Sequence, residues 1–95
     1  MGEKLKSEQL DALFQAILAL QNSEECYSFF EDLCTVAELH AMQQRFCVAK
    51  MLRGGHVYAD IVAKTGASTA TISRVNRSLL YGADGYQTIL SRLDP

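Results

Sequence analysis

A chain of 95 residues, 48% of them apolar, with no tryptophan and a single proline at its last position, has room for one small domain and lacks the composition of a disordered segment. No apolar run approaches the ~20 residues that cross a bilayer, and MGEKLKSEQL lacks the apolar core of a signal peptide and misses the myristoylation pattern at Lys6, so a cytoplasmic protein with no membrane contact is expected. The net charge of −2 hides a split: residues 1–44 carry eight acidic and two basic side chains, a net of −6, whereas Arg45 to Arg77 hold six basic residues against Asp60 alone, a net of +5.

Taken in chain order, the predicted elements are all helical. Leu10, Leu13, Phe14, Ile17 and Leu18 recur at steps of three and four, the spacing of one helix face, with Ser7 as N-cap. Ser23, followed by Glu24 and Glu25, opens a second helix, since acids favour the first turn; Tyr27, Phe30, Leu33 and Cys34 supply its buried face. Thr35 and Glu38 have the spacing of a capping box. The third helix they open carries Leu39, Met42, Phe46, Ala49 and Leu52 and ends at Gly54-Gly55. The three cysteines, Cys26, Cys34 and Cys47, fit no metal or redox spacing and are expected to be reduced core residues. No strand pattern, repeat or linker is present. Apolar residues such as Phe29 and Phe30 cannot all face one way on helices this short, so a homodimer is expected to cover the surplus.

The segment YADIVAKTGASTATISRVNRSL, Tyr58 to Leu79, carries the main functional signal. The pattern predicts a helix over about 57–65, a turn at Gly66-Ala67 and a helix over about 68–80. Ile61 faces Ile72 and Val75, Gly66 takes the positive φ that a tight turn needs, and Ser68 caps the second helix. This is helix-turn-helix spacing, with Thr65 standing where an aliphatic residue is more common. The outward face of the second helix holds Thr69, Ala70, Ser73 and Arg77, with Thr71 and Arg74 at its borders. Small and hydroxylated residues at a helix N-terminus suit close approach to phosphates and base edges, and the arginines suit phosphate or guanine. Tyr58, Lys64 and Ser68 complete the candidate contact set for double-stranded DNA.

The stretch TVAELHAMQQRFCVAKMLRGGHVYADIVAKTGASTATISRVNRSLLYGADGY resembles the Trp repressor superfamily, and GASTATISRVNRSLLYGADGY resembles its YerC/YecD branch; the likeness covers about Thr35 to Leu93. It implies an all-α, six-helix fold with a helix-turn-helix, paired as an interwoven homodimer that binds a palindromic operator and controls transcription as a repressor. One domain is expected over 1–95: a dimerisation core in 1–54, the helix-turn-helix in 55–80, and a hinge with a C-terminal helix in 81–95. In the Trp repressor itself the amino acid lies between two arginines beside a glycine. The resemblance sets Arg74 at one arginine, Arg45 at the other with a one-residue gap before Arg53, and Val75 at the glycine. Val75 should fill the space of an indole, so a tryptophan response is not expected; a smaller effector, or none, stays open.

No catalytic constellation appears. His56 and Asp60 share a helix face, but no Ser or Cys is placed as their nucleophile, and His56 reads as a loop or helix-start residue. Gly54-Gly55 lacks the lysine and spacing of a P-loop. YGADGY reads as a hinge in which Asp84 caps a last helix, Tyr86 to Leu93. The chain is expected to be no enzyme and to hold no cofactor or metal. The rival to the DNA-binding reading is a helical interaction module whose helix-turn-helix head binds protein, although such a head has no need of a +5 segment with exposed hydroxyls.

Overall fold

The computed structural model describes residues 5–94, and all regular elements among them are helices: α1 (Glu8–Leu18), α2 (Ser23–Leu33), α3 (Val36–Arg53), α4 (Tyr58–Thr65), α5 (Thr69–Tyr81) and α6 (Gly85–Leu93). Residues 1–4 of the MGEKLKSEQL segment and Pro95 lie outside the described residues. No described helix is long and apolar enough to cross a membrane. The chain forms two compact units, which meet in sequence at Leu39 and His40.

Local chemistry sets the helix starts of the first unit. Ser7 Oγ accepts from the Leu10 N–H at 3.0 Å. The second helix begins at Ser23, but the cap is Asn22, whose Oδ1 accepts from the Glu25 N–H at 2.9 Å. Glu25 returns the favour to the chain before it, accepting from the Gln21 N–H at 2.9 Å. The expected capping box is formed in full: the Thr35 N–H donates to Glu38 Oε1 at 2.8 Å, and the Glu38 N–H donates to Thr35 Oγ1 at 3.1 Å.

The Thr35 N–H, and after it the Thr35 hydroxyl, hold the Glu38 carboxyl below the ordinary glutamate value of 4.5. A carboxyl whose folded pKa is lowered stabilises the fold fully above its unfolded value and ceases to do so as pH falls through the folded one. The expected result of an NMR titration is a Glu38 midpoint below 4.5 that moves upward in Thr35→Ala. A midpoint unchanged by that substitution would remove the hydroxyl from the cause.

Neither α1 nor α2 buries a single residue. Phe14, Leu18, Tyr27, Leu33 and Val36 are exposed. Tyr27 and Leu33 thus depart from the buried face expected of α2, while Phe29 and Phe30 are half-buried and meet edge to face, centroids 5.6 Å apart. Cys26 is exposed rather than in a core, and Cys34 and Cys47 are half-buried; all three are free thiols. Two helices of eleven residues have too little surface of their own to enclose these apolar groups.

The second unit has a true core: Val48 and Ala49 of α3, Ile61 of α4, Ala67 of the following turn, Ile72, Val75 and Leu79 of α5, and Leu90 of α6. Met51, Leu52 and Tyr86 pack against it. Of the face expected on α3, Ala49 is buried, whereas Met42 and Phe46 are exposed, and Val48 joins the core unforeseen. At 100° per residue, Leu39, Met42 and Phe46 form one apolar stripe and Val48, Ala49 and Leu52 a second, about 100° round the helix. The unit uses the second stripe. α3 stops as expected at its glycine pair, with the Gly55 N–H donating to the Leu52 carbonyl and the His56 N–H to the Met51 carbonyl, each at 3.1 Å. This is the Schellman pattern, and it makes His56 a loop residue.

The hinge after α5 needs Gly82, because a Cβ there would overlap the Ser78 carbonyl oxygen, which is backbone and cannot step aside. Asp84 occupies the N-cap position of α6 but, against expectation, makes no side-chain cap: its own φ is 66°, so it serves the bend instead. The tie is made by Gln87, whose Nε2 donates to the Leu79 carbonyl at 3.1 Å and so satisfies one open carbonyl near the end of α5.

Candidate nucleic-acid interface

The candidate interface is built from α4, a three-residue turn and α5. Gly66 adopts φ 72°, ψ 4° and donates to the Val62 carbonyl, which ends α4. An alanine there would meet no neighbour, so glycine is required by the backbone conformation alone. Thr65 turns out to have work that an aliphatic residue could not do. Its hydroxyl donates to the Ile61 carbonyl at 2.7 Å and accepts from the Ala67 N–H at 3.1 Å, pairing two groups of the turn.

Ser68 caps α5. Its Oγ accepts from the Thr71 N–H and donates to Thr71 Oγ1, both at 3.1 Å. The two hydroxyls are therefore engaged with each other, and Thr71 is half-buried. The first intrahelical bond runs from the Ile72 N–H to the Ser68 carbonyl at 3.0 Å. The N–H groups of Thr69 and Ala70 come before it, on exposed residues, at the positive end of the helix. Such groups attract anions.

Burial of Ile72, Val75 and Leu79 fixes which way α5 faces. Opposite them, Ala70, Ser73, Arg74 and Arg77 share one exposed stripe, with Thr69 exposed at its margin. Tyr58 and Lys64 are exposed at the two ends of α4. The stripe continues to Tyr81, which is 83% exposed. Sequence reasoning missed Tyr81, although its place four residues after Arg77 was the available signal. All six basic residues of the +5 segment are exposed. Arg53 donates to Ser91 Oγ at 3.1 Å, which holds it beside α6.

The residues of the expected effector pocket part company. Val75 is 2% exposed and packs in the core, while Arg45 and Arg74 are exposed. A hollow of about 440 Å³ lies elsewhere, lined by Lys50, Arg53, Gly54, Leu90, Leu93 and Asp94, and contains none of the three. Among the described residues no group of three or more His, Cys, Asp or Glu side chains could hold a metal ion.

A model of the Trp repressor protein family matches residues 8–94. The chain belongs to that family. It is 54% identical over 91 residues to the uncharacterized protein YerC of Bacillus subtilis strain 168, covering 96% of this chain and 88% of YerC. Two solved structures superpose on it with a TM-score of 0.93. One, described as a candidate Trp repressor from Staphylococcus aureus, is 58% identical, with 97% of this chain and 92% of that chain covered. The other, a TrpR-like protein from Eubacterium eligens ATCC 27750, is 59% identical, with 96% and 94% covered. The all-α Trp repressor-like fold expected from the sequence is the fold of this chain, with six helices among the described residues. The family match reaches back through α1 and α2, well beyond the Thr35–Leu93 stretch that carried the resemblance.

Proposed function

We propose that the chain is a sequence-specific DNA-binding regulator of transcription, acting as a homodimer and most simply as a repressor. The observation that carries this reading is the exposed stripe of α5. Ser73, Arg74 and Arg77 stand beside Ala70 and the leading N–H groups of the helix, on the side opposite the core. Arginines and helix N-termini are what phosphate contacts require, and small residues let base edges come close. The name of the Staphylococcus aureus relative agrees with it. A charge of −2 is no obstacle, because attraction to phosphate is screened within about 10 Å at 0.1 M salt and so depends on local charge.

The second support is the N-terminal unit, where α1 and α2 leave their apolar faces exposed. We assign residues 1–54 to dimerisation, 55–80 to the DNA-reading head, and 81–95 to the hinge and last helix. Two heads on a twofold axis read half-sites about one helical turn apart, roughly 34–36 Å. Selection of bound sequences from a random DNA pool tests the reading. It should return a palindromic motif with that spacing. Failure to enrich any motif would favour the protein-binding module instead.

The proposed regulator does not answer to tryptophan. Val75, on the buried face of α5, is enclosed in the core and leaves no room at its own position for an indole. Calorimetry with L-tryptophan up to low millimolar concentration should give no saturable heat. Saturable binding in that range would overturn this part of the reading. Val75→Gly is not a clean converse, since a glycine in a helix interior costs roughly 1 kcal/mol.

A further inference from the structure

The end of α4 is tied to α3 by one side chain that neither the core nor the exposed stripe accounts for. Gln44 is half-buried, and its Nε2 donates to the Thr65 carbonyl at 3.2 Å, 21 positions along the chain. That carbonyl belongs to the last turn of α4, where backbone oxygens lack helical partners. The same residue closes the turn through its hydroxyl, bonded to Ile61 and Ala67. Four residues later α5 begins. Whatever fixes Thr65 therefore fixes the start of the reading helix.

The core holds these helices together through apolar contact. Val48, Ile61, Ile72 and Val75 are apolar and fully enclosed, and apolar contact is non-directional. It resists separation of the helices more than it resists a roll of α4 and α5 over α3. A hydrogen bond weakens steeply as its angle closes, so the Gln44 bond resists the roll. We propose that Gln44 is a positioning residue, whose amide braces the helix-turn-helix against α3 and sets the reading orientation of α5 without a bound small molecule. Neighbouring Arg45, by contrast, is exposed, and Val75 is enclosed in the core. The proposal rests on the DNA-binding reading for its consequence, but the brace itself has a consequence in the protein alone.

The test uses Gln44→Met in the full chain, which keeps the length of the side chain and removes its donor. In native-state hydrogen exchange, the Ala67 amide should exchange roughly tenfold faster than in the parent protein, about 1.4 kcal/mol of lost protection. Affinity for the selected operator should fall about as much. The dependence of affinity on salt should stay as it was, because no phosphate contact is lost. The tolerance for half-sites moved by one base pair should widen, a change that a mere loss of stability would not produce. Protein refolded from denaturant, and so stripped of small molecules, should bind the operator as tightly as the native preparation. Unaltered Ala67 exchange in Gln44→Met would overturn the brace whether or not the protein binds DNA. Weak binding by correctly refolded dimers would overturn independence from an effector. Faster Ala67 exchange in a protein that enriches no DNA motif would leave the brace standing and remove the DNA-binding reading.

Discussion

Phe14→Glu should dissociate the protein. In the single chain this substitution looks harmless: Phe14 is 50% exposed, and α1 buries nothing. For a monomer, surface substitutions usually change stability by no more than about 0.5 kcal/mol. Burying a whole phenylalanine contributes about 1.5–3 kcal/mol; half of Phe14 is already covered in the single chain, so a dimer that covers the N-terminal faces gains about 0.8–1.5 kcal/mol from each of the two side chains. The loss is about 1.5–3 kcal/mol per dimer, which raises the dissociation constant between roughly tenfold and a hundredfold. A buried carboxylate with no partner adds to it. Sedimentation of the parent protein at micromolar concentration should give about twice the chain mass of 10.5 kDa, and its melting temperature should rise with concentration. Phe14→Glu should lose both properties. A well-folded parent monomer, or a Phe14→Glu dimer as tight as the parent, would contradict the assignment of 1–54 to dimerisation.

Much of the chain was legible because its signals are local. The Thr35–Glu38 box, the Ser7 and Ser68 caps, the end of α3 at its glycine pair and the left-handed Gly66 each depend on residues within one turn. Ile61, Ile72 and Val75 were legible for a related reason: two helices joined by three residues can bury only the faces turned toward each other. The N-terminal faces were not legible in this way. Periodicity shows that Phe14 and Leu33 lie on apolar stripes, but whether a stripe is covered depends on surface that the unit itself lacks. On α3 two apolar stripes competed, and spacing alone could not prefer Val48 over Phe46. Asp84 misled because its residue type suits a cap while its backbone is needed for the bend. Gln44 gave no signal at all, since a glutamine on an amphipathic helix is ordinarily a solvated residue and its partner lies 21 positions away.

The other large effect is expected on α5. Arg74 and Arg77 lie one turn apart on the exposed stripe, away from the core formed by Ile72, Val75 and Leu79. Replacing either by alanine should leave the dimer folded, since no core contact is removed. The loss of DNA affinity should then reveal what each arginine touches. A phosphate contact lowers affinity for every sequence and reduces the salt slope by about 1. A base contact leaves that slope nearly unchanged but relaxes preference at one position of each half-site, with a cost of roughly 1–3 kcal/mol there. The two arginines need not share a role, and the salt series separates them. The most direct measurement is an anisotropy titration of the parent protein, Arg74→Ala and Arg77→Ala against the selected operator at two salt concentrations. Weakened binding in both variants with parental dimerisation is the expected result; unchanged affinity in both, at either salt concentration, would contradict α5 as the reading helix.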